Sequence, residues 1–266
     1  MKISVVIPCY NNALTIERCI LSVFDQVEPV DELIVVDDFS SDNSFYLISL
    51  LSIRYRSCLI KIFQNTTNLG PSAARNFGIA QSTGDFICFL DADDYWHRQK
   101  IFFIKNILLK YPEVDLLGHQ SSVNGNQNLS YSNECFHLRR ITSLSLLVRN
   151  FATTPSISMR RALGLNFDVN MRYCEDHDLW LRISQSANVS FLYGPSLTIL
   201  GRLPGSSGGL SGDKMPMRHG EIEMYKKFFR AKNFFGLFYL IVIFSITKHL
   251  IKKLMNVISN INSLIK

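Results

Sequence analysis

Short apolar runs rich in β-branched residues alternate with helical stretches through the first ninety residues. Ile3–Ile7 (ISVVI), Leu33–Val36 (LIVV), Leu59–Phe63 (LIKIF) and Phe86–Leu90 (FICFL) have strand length, and turn or polar residues bound each one. Pro8 is expected to stop the first. Between the runs, Ile16, Ile20, Val23 and Phe24 repeat at helical spacing. Leu47, Leu50 and Leu51 mark a second helix, with Ser41 or Asp42 able to cap it. Pro71 suits the first turn of a third helix, continued by Ala73–Ala80. Strands and helices alternating in this way imply an α/β fold, with a mainly parallel, Rossmann-like central sheet flanked by helices.

Ligands of such sheets bind beyond the carboxyl ends of the strands. Tyr10, Asp37 with Asp38, Asn68, and Asp91 with Asp93 all fall at those ends. The fourth strand, inside Thr83–Asp94 (TGDFICFLDADD), delivers three carboxylates within four residues. Like charges this close repel unless a cation or strong donors gather them. Asp91 and Asp93 are two apart, so an extended backbone would turn both the same way. Their hard oxygens suit Mg²⁺ or Mn²⁺, completed by substrate phosphates. An isolated Asp-rich stretch also reads as a solvated turn, so the rest of the chain must decide.

The second half is less regular. A basic amphipathic helix is expected after Trp96 as far as Lys110, and a strand over Val114–Gly118. Residues 119–140 are polar and irregular, a variable loop or short strands. Thr142–Val148 reads as a helix, and Thr154–Met159 as a strand whose far end carries Arg160 and Arg161. Tyr173–Asp178 (YCEDHD) opens a helix in which Trp180 belongs to the core, and acids at a helix N-terminus are favoured by its dipole. Val189–Tyr193 is a further strand. Residues 201–213 are rich in Gly and Ser, as in a lid or a linker. The expected division is a catalytic unit over 1–213 (nucleotide-binding half 1–95, acceptor half 96–213) and a basic, apolar helical tail over 214–266.

At 266 residues and 47% hydrophobic content, the chain can bury a full core. Its net charge of +6 is a property of the tail, where ten Lys and Arg face only Glu221 and Glu223. Residues 1–213 carry 18 basic and 20 acidic side chains, which argues against a nucleic-acid-binding face on the body. Six cysteines without CxxC or Cys/His metal spacing point to reduced thiols in a cytoplasmic protein. The start of the chain has no basic segment followed by a long apolar one, so no cleaved leader is expected. Phe234–Thr247 (FFGLFYLIVIFSIT) is apolar but short of the ~20 residues that span a bilayer. Beyond it, Leu250, Ile251, Leu254, Val257, Ile258, Ile261 and Ile265 form a stripe, with Lys252 and Lys253 off it. Such a tail suits an anchor on the inner face of the cell membrane, or a helix that packs on the body or dimerises.

Four blocks, ISVVIPCYNNALTIERCILSVFDQ, ELIVVDDFSSDNS, NLGPSAARNFGIAQSTGDFICFLDADD and EDHDLWLRIS, together resemble family 2 of the glycosyltransferases, in that family's order over residues 3–184. The resemblance implies a GT-A fold and an inverting transfer of one sugar from a nucleotide diphosphate sugar, a UDP-hexose, to a glycan or lipid-linked acceptor. Such enzymes build cell-surface polysaccharide such as O-antigen or capsule. It further implies that Pro8 and Tyr10 line the base and ribose pocket and that Asp38, with Asp37 nearby, accepts from the base. Asn68, Gly70 and Arg75 would approach the nucleotide and its diphosphate, Asp91 the ribose, and Asp93 a bridging Mn²⁺ or Mg²⁺. Asp94 would orient the sugar, and Asp176 would be the catalytic base, assisted by Glu175. The QxxRW sequence of processive members is missing. Arg202 and the Gly-rich loop stand where many members place a metal-binding His, leaving His219 as a nearby candidate. Two other readings are a nucleotidyltransferase, for which Cys9–Asn12 lacks the usual Gly-rich phosphate loop, and a non-catalytic nucleotide-sugar-binding or scaffold protein.

Overall fold

Eight strands form one sheet in the order β3-β2-β1-β4-β9-β6-β10-β8. In chain order they are β1 (Ile3–Cys9), β2 (Glu32–Asp37), β3 (Leu59–Gln64), β4 (Phe86–Phe89), β6 (Leu116–His119), β8 (His137–Ile141), β9 (Ile157–Arg160) and β10 (Val189–Tyr193). β5 (Tyr95–Trp96), β7 (Ser121–Ser122) and β11 (Thr198–Ile199) make a second, three-stranded sheet. The helices are α1 (Ile16–Phe24), α2 (Ser44–Arg54), α3 (Pro71–Gln81), α4 (Lys100–Lys110), α5 (Ser143–Val148), α6 (Glu175–Ile183) and α7 (Lys214–Ala231). This computed structural model describes residues 1–55, 59–123, 136–194, 196–203, 205–206, 212–231, 242–243 and 247.

The alternation read from the sequence becomes four parallel neighbours, β3, β2, β1 and β4. β9 then runs antiparallel between β4 and β6, and β8 runs antiparallel on β10. Odd residues of β1 (Ile3, Val5, Ile7) face a core shared with α1, α2 and α4, where Ile20, Ile48 and Ile104 are buried. Val6 points the other way, into a core with Ala74 of α3, Trp180 of α6 and Phe229 of α7. β1, buried on both faces, is therefore covered on each side, which gives three layers.

Several local expectations shift. β1 runs through Pro8 to Cys9, in register with Val36 and Asp37 of β2. Pairing with β4 ends at Val6 opposite Phe89, so the N–H that Pro8 lacks falls past the end of that ladder. α2 starts at Ser44, although Asp42 Oδ1 still accepts from the Ser44 N–H at 2.9 Å. Leu50, expected in its apolar stripe, is exposed. Thr154–Ser156 forms a 3₁₀ turn ahead of β9. Of the two possibilities for the polar stretch 119–140, variable loop or short strands, the described residues show short strands, β7 and the start of β8. Trp180 is buried against Phe89 and Phe167, in accord with a core role. Cys9, Cys19, Cys88 and Cys174 are buried free thiols.

The chain from Lys214 enters the core as α7, which buries Met224, Tyr225, Phe228 and Phe229 and packs on α6. The apolar stretch 234–247, apart from three positions, and the stripe from Leu250 lie outside the described residues. No described helix is long and apolar enough to cross a membrane.

At the amino end of the sheet, Glu32 on β2 pins three segments. Its carboxylate accepts from Lys61 Nζ (2.8 Å), Ser4 Oγ, and the Thr83 backbone N–H and hydroxyl. Burial alone would raise its pKa, but these donors outweigh it and hold the group at about 2. A carboxyl held below its unfolded value of 4.5 stabilises the fold above that value and loses the contribution as pH falls towards 2. Glu32→Gln is expected to lower the urea-unfolding free energy at pH 7 by about 1–3 kcal/mol. It should also flatten the loss of stability between pH 4.5 and 2. An unchanged acid limb would refute this account.

Candidate active site

The loops after β1 and β2 are stitched together. The Asn11 N–H donates to Ser40 Oγ at 2.9 Å, and Asn11 Oδ1 accepts from the Ser41 N–H at 2.8 Å. Tyr10 stands exposed on the first loop, while Pro8 is half-buried within the strand below it. Asp37 is fully buried, its Oδ2 accepting from the Ser40 N–H and Gln64 Nε2, each at 3.1 Å. Asp38 is buried as well. Its Oδ1 accepts from Asn65 Nδ2 (2.7 Å) and the Leu69 N–H (3.0 Å), and its Oδ2 from the Gly70 N–H (2.7 Å). Asp38 therefore moulds the loop after β3, with little acceptor capacity left over. Gly70 has φ +88° and caps α3, a conformation in which a side chain would be strained, while Asn68 is exposed on the same loop.

After β4 the three acids separate. Asp91 Oδ1 pairs with Arg75 Nη2 at 2.7 Å, Asp93 Oδ2 with Arg202 Nε at 2.9 Å, and Asp94 Oδ1 accepts from the Gly201 N–H at 2.7 Å. Asp91 and Asp93 thus face different partners. Arg18 of α1 donates to the Asp93 carbonyl at 3.0 Å and braces the turn. Gly201 sits so close that an added Cβ would lie 2.1 Å from that same carbonyl oxygen. Burial and the Asp91 carboxylate push Asp93 above the usual carboxylate range, against Arg202. The same two causes lift Asp94 to about 8.

Arg75, on the first turns of α3, is 5% exposed and joins two elements distant in sequence. Besides Asp91 it binds Glu175 Oε1 through Nη1 at 3.1 Å, and its guanidinium carbon lies 5.3 Å from the Phe167 ring centre. Burial alone would favour its neutral form, but Asp91 and Glu175 outweigh that and keep it charged. Glu175 is buried; burial first and then Asp176 raise it to about 7, with Arg75 opposing. Asp176, at the second position of α6, stays half-exposed and accepts from Asn150 Nδ2 at 3.0 Å. Of the ED pair, then, Asp176 faces outward and Glu175 anchors the helix. Cys174, just before them, has φ +59°, one of three non-glycine residues with positive φ among those described. The others, Asn11 and Phe39, lie on the loops after β1 and β2.

His219 is exposed on α7 and lines a cavity of about 490 Å³ with residues 170–173, Met215, Pro216, Gly220 and Glu223. No acid from the β4 turn lines that cavity. Among the described residues, no group of three or more His, Cys, Asp and Glu side chains is arranged to hold a metal ion. Asn150 and Phe167 escaped the sequence reading; a lone polar residue and a lone aromatic in an irregular stretch carry no spacing signal.

The Glycosyl transferase family 2 profile matches residues 4–166. The chain belongs to this family. A relative from Escherichia coli, "UDP-Glc:alpha-D-GlcNAc-diphosphoundecaprenol beta-1,3-glucosyltransferase WfgD", is 30% identical over 188 residues, 71% of this chain and 72% of the relative. Erwinia amylovora "Amylovoran biosynthesis glycosyltransferase AmsB" is 39% identical over 101 residues, 38% of this chain and 34% of the relative. Among solved structures, S. aureus TarS 1-349 in complex with UDP superposes with a TM-score of 0.64 at 23% identity. That match covers 85% of this chain and 65% of the TarS chain, and it establishes the shared fold. The protein is a nucleotide-sugar-dependent glycosyltransferase with a GT-A fold.

Arg75→Met would leave two carboxylates without their buried cation. It is expected to cost about 3–5 kcal/mol in urea unfolding. A loss below about 1 kcal/mol would mean that Arg75 is not the link between Asp91 and α6.

Proposed function

We propose that this enzyme is an inverting transferase that moves a single hexose from a UDP-sugar to a lipid-linked or glycan acceptor. The observation that carries the reading is the Asp91–Arg75–Glu175 bridge. It ties the start of α6, where the half-exposed Asp176 follows Glu175, to Asp91 of the acidic turn, and the sheet's carboxyl edge there would hold a diphosphate. UDP as the carrier draws support from the relative named for UDP-Glc and from the neighbour bound to UDP.

In this reading Asp176 takes the proton from an acceptor hydroxyl as the oxygen attacks the anomeric carbon in line. The new C–O bond forms while the bond from that carbon to the diphosphate oxygen breaks, and its electron pair leaves with UDP. Attack from the opposite face inverts the centre, giving a β-linked product from an α-linked donor. Asn150 holds the base in place, and Glu175 fixes the start of α6 through Arg75. Tyr10 and Pro8 would border the base, Asp38 and Asp37 would shape its pocket through the loop they hold, and Asn68 and Gly70 would line the approach to the diphosphate.

The acids after β4 fit a divalent cation. They are hard oxygen donors, burial and Asp91 already raise Asp93, and Mg²⁺ or Mn²⁺ is commonly held by one or two carboxylates plus substrate phosphates rather than by a protein cage. Asp93 would hold the ion, with Arg202 released from it. Bound there, the ion would neutralise charge developing on the departing diphosphate. A mannosyltransferase neighbour from Pyrobaculum calidifontis, in complex with GDP-Man and Mn²⁺, has a TM-score of 0.65 at 16% identity and covers 86% of this chain. We further propose that the basic, apolar tail holds the enzyme at the inner membrane face, where a lipid-linked acceptor would lie.

Asp176→Asn is expected to bind donor as the wild type does while turnover falls about 10²–10⁴-fold. Wild-type turnover in that variant would remove Asp176 from the base role. Thermal-shift measurements with UDP, GDP, dTDP and CDP, each with Mn²⁺, Mg²⁺ or EDTA, should give the largest stabilisation with UDP plus metal. In Asp93→Ala the metal-dependent part should vanish. Equal shifts with metal and with EDTA in the wild type would argue against a metal at Asp93.

A further inference from the structure

Phe39 follows Asp38 at the carboxyl end of β2 with φ +65°. Bulky L-residues rarely adopt this left-handed conformation, because Cβ then crowds the following carbonyl. The backbone on either side is held firmly. Asp38 is tied into the loop after β3, and the next residue, Ser40, donates its N–H to Asp37 and accepts from the Asn11 N–H. Strain of this kind persists only where its surroundings over-determine it, and it collects at ligand sites. Nothing in the core uses the side chain: Phe39 is 53% exposed.

Tyr10, 48% exposed, stands on the loop to which this one is stitched. Asn11 directly follows Tyr10, Ser40 directly follows Phe39, and these two residues hydrogen-bond each other. Two exposed rings therefore stand on adjoining loops above one pair of strands, on the edge that also carries Asp93. A planar heteroaromatic group attached to a diphosphate matches this pattern: flat faces for the rings at one end, anionic oxygens for the acidic turn and its cation at the other.

We propose that Phe39 is a specificity-determining residue of the donor site, stacking on the nucleobase beside Tyr10. The inference rests on the nucleotide-sugar reading and deepens it. The side chain is kept in a strained position because the ring contributes to binding, so stability and donor affinity should respond in opposite directions. Glycine accepts φ +65° without steric cost, whereas alanine keeps the strain and loses the ring.

The test uses the full-length protein with Mn²⁺, calorimetric titration of UDP, GDP, dTDP, CDP and inorganic pyrophosphate, and thermal midpoints. Phe39→Ala and Phe39→Gly should each weaken the preferred nucleotide about tenfold or more, the usual effect of removing a stacked ring. Phe39→Tyr should bind as the wild type does, and pyrophosphate should bind all four proteins alike. Phe39→Gly should melt about 2–4 °C above Phe39→Ala. Nucleotide affinity within twofold of wild type in both ring-less variants would overturn the proposal. So would an equal weakening of pyrophosphate, which would mean that the ring acts through the loop and not on the base. A wild-type protein that binds none of the four nucleotides overturns the donor reading itself, and this inference with it.

Discussion

One buried guanidinium ties the acidic turn after β4 to the start of α6. Arg75 reaches from α3 to Asp91 on one side and to Glu175 on the other, a sequence separation of 100 residues on the longer arm. Without it, Asp91 would face Asp93 and Asp94, and Glu175 would face Asp176, with burial weakening the solvent's help. The cation lets carboxylates gather at the carboxyl edge of the sheet. Asn76, next along α3, holds the 167 segment with a pair of bonds to the backbone of Phe167, so one helix turn fixes both the charge and the wall beneath it.

The acids at the carboxyl edge divide into two groups by what they touch. Asp37, Asp38 and Asp94 are buried and accept from loop backbone, so they set the shape of the segments that surround the cleft. Asp93 and Asp176 keep part of their surface open, Asp93 paired with the Arg202 side chain and Asp176 accepting from the Asn150 amide and the His177 N–H. Carboxylates that build the cleft and carboxylates that can act in it are told apart by burial and donor count, neither of which a residue type announces.

For that reason the sequence and the structure agree unevenly. The parallel half was legible because strands buried on both faces read as unbroken apolar runs, and the helices between them keep a 3.6-residue stripe. The placement of Asp91, Asp93, Glu175 and Asp176 followed from their positions at strand and helix ends. The partners did not follow: Arg75 could be placed on a helix, but not in the ion bridge, which forms only when α3 and α6 meet over the sheet. Pro8 was read as a strand terminator because the early end of β4, which makes room for it, has no local signature. β7 and β8 hide in polar sequence because β7 is only two residues long and β8 is exposed at most of its positions on the edge of the sheet.

α7 lies against the stretch that leads into the candidate base. An added Cβ on Gly220 would stand 2.4 Å from the Tyr173 carbonyl oxygen, and Cys174 Sγ donates to the Met217 carbonyl at 3.4 Å. Mechanically, this helix is a buttress. Its buried ring and thioether side chains carry any load arriving from the chain beyond Ala231, and they pass it to residues 173 and 174 ahead of Glu175 and Asp176. Traction on that end of the protein would therefore be felt first at the turn that leads into α6, and only afterwards in the strands of the parallel sheet.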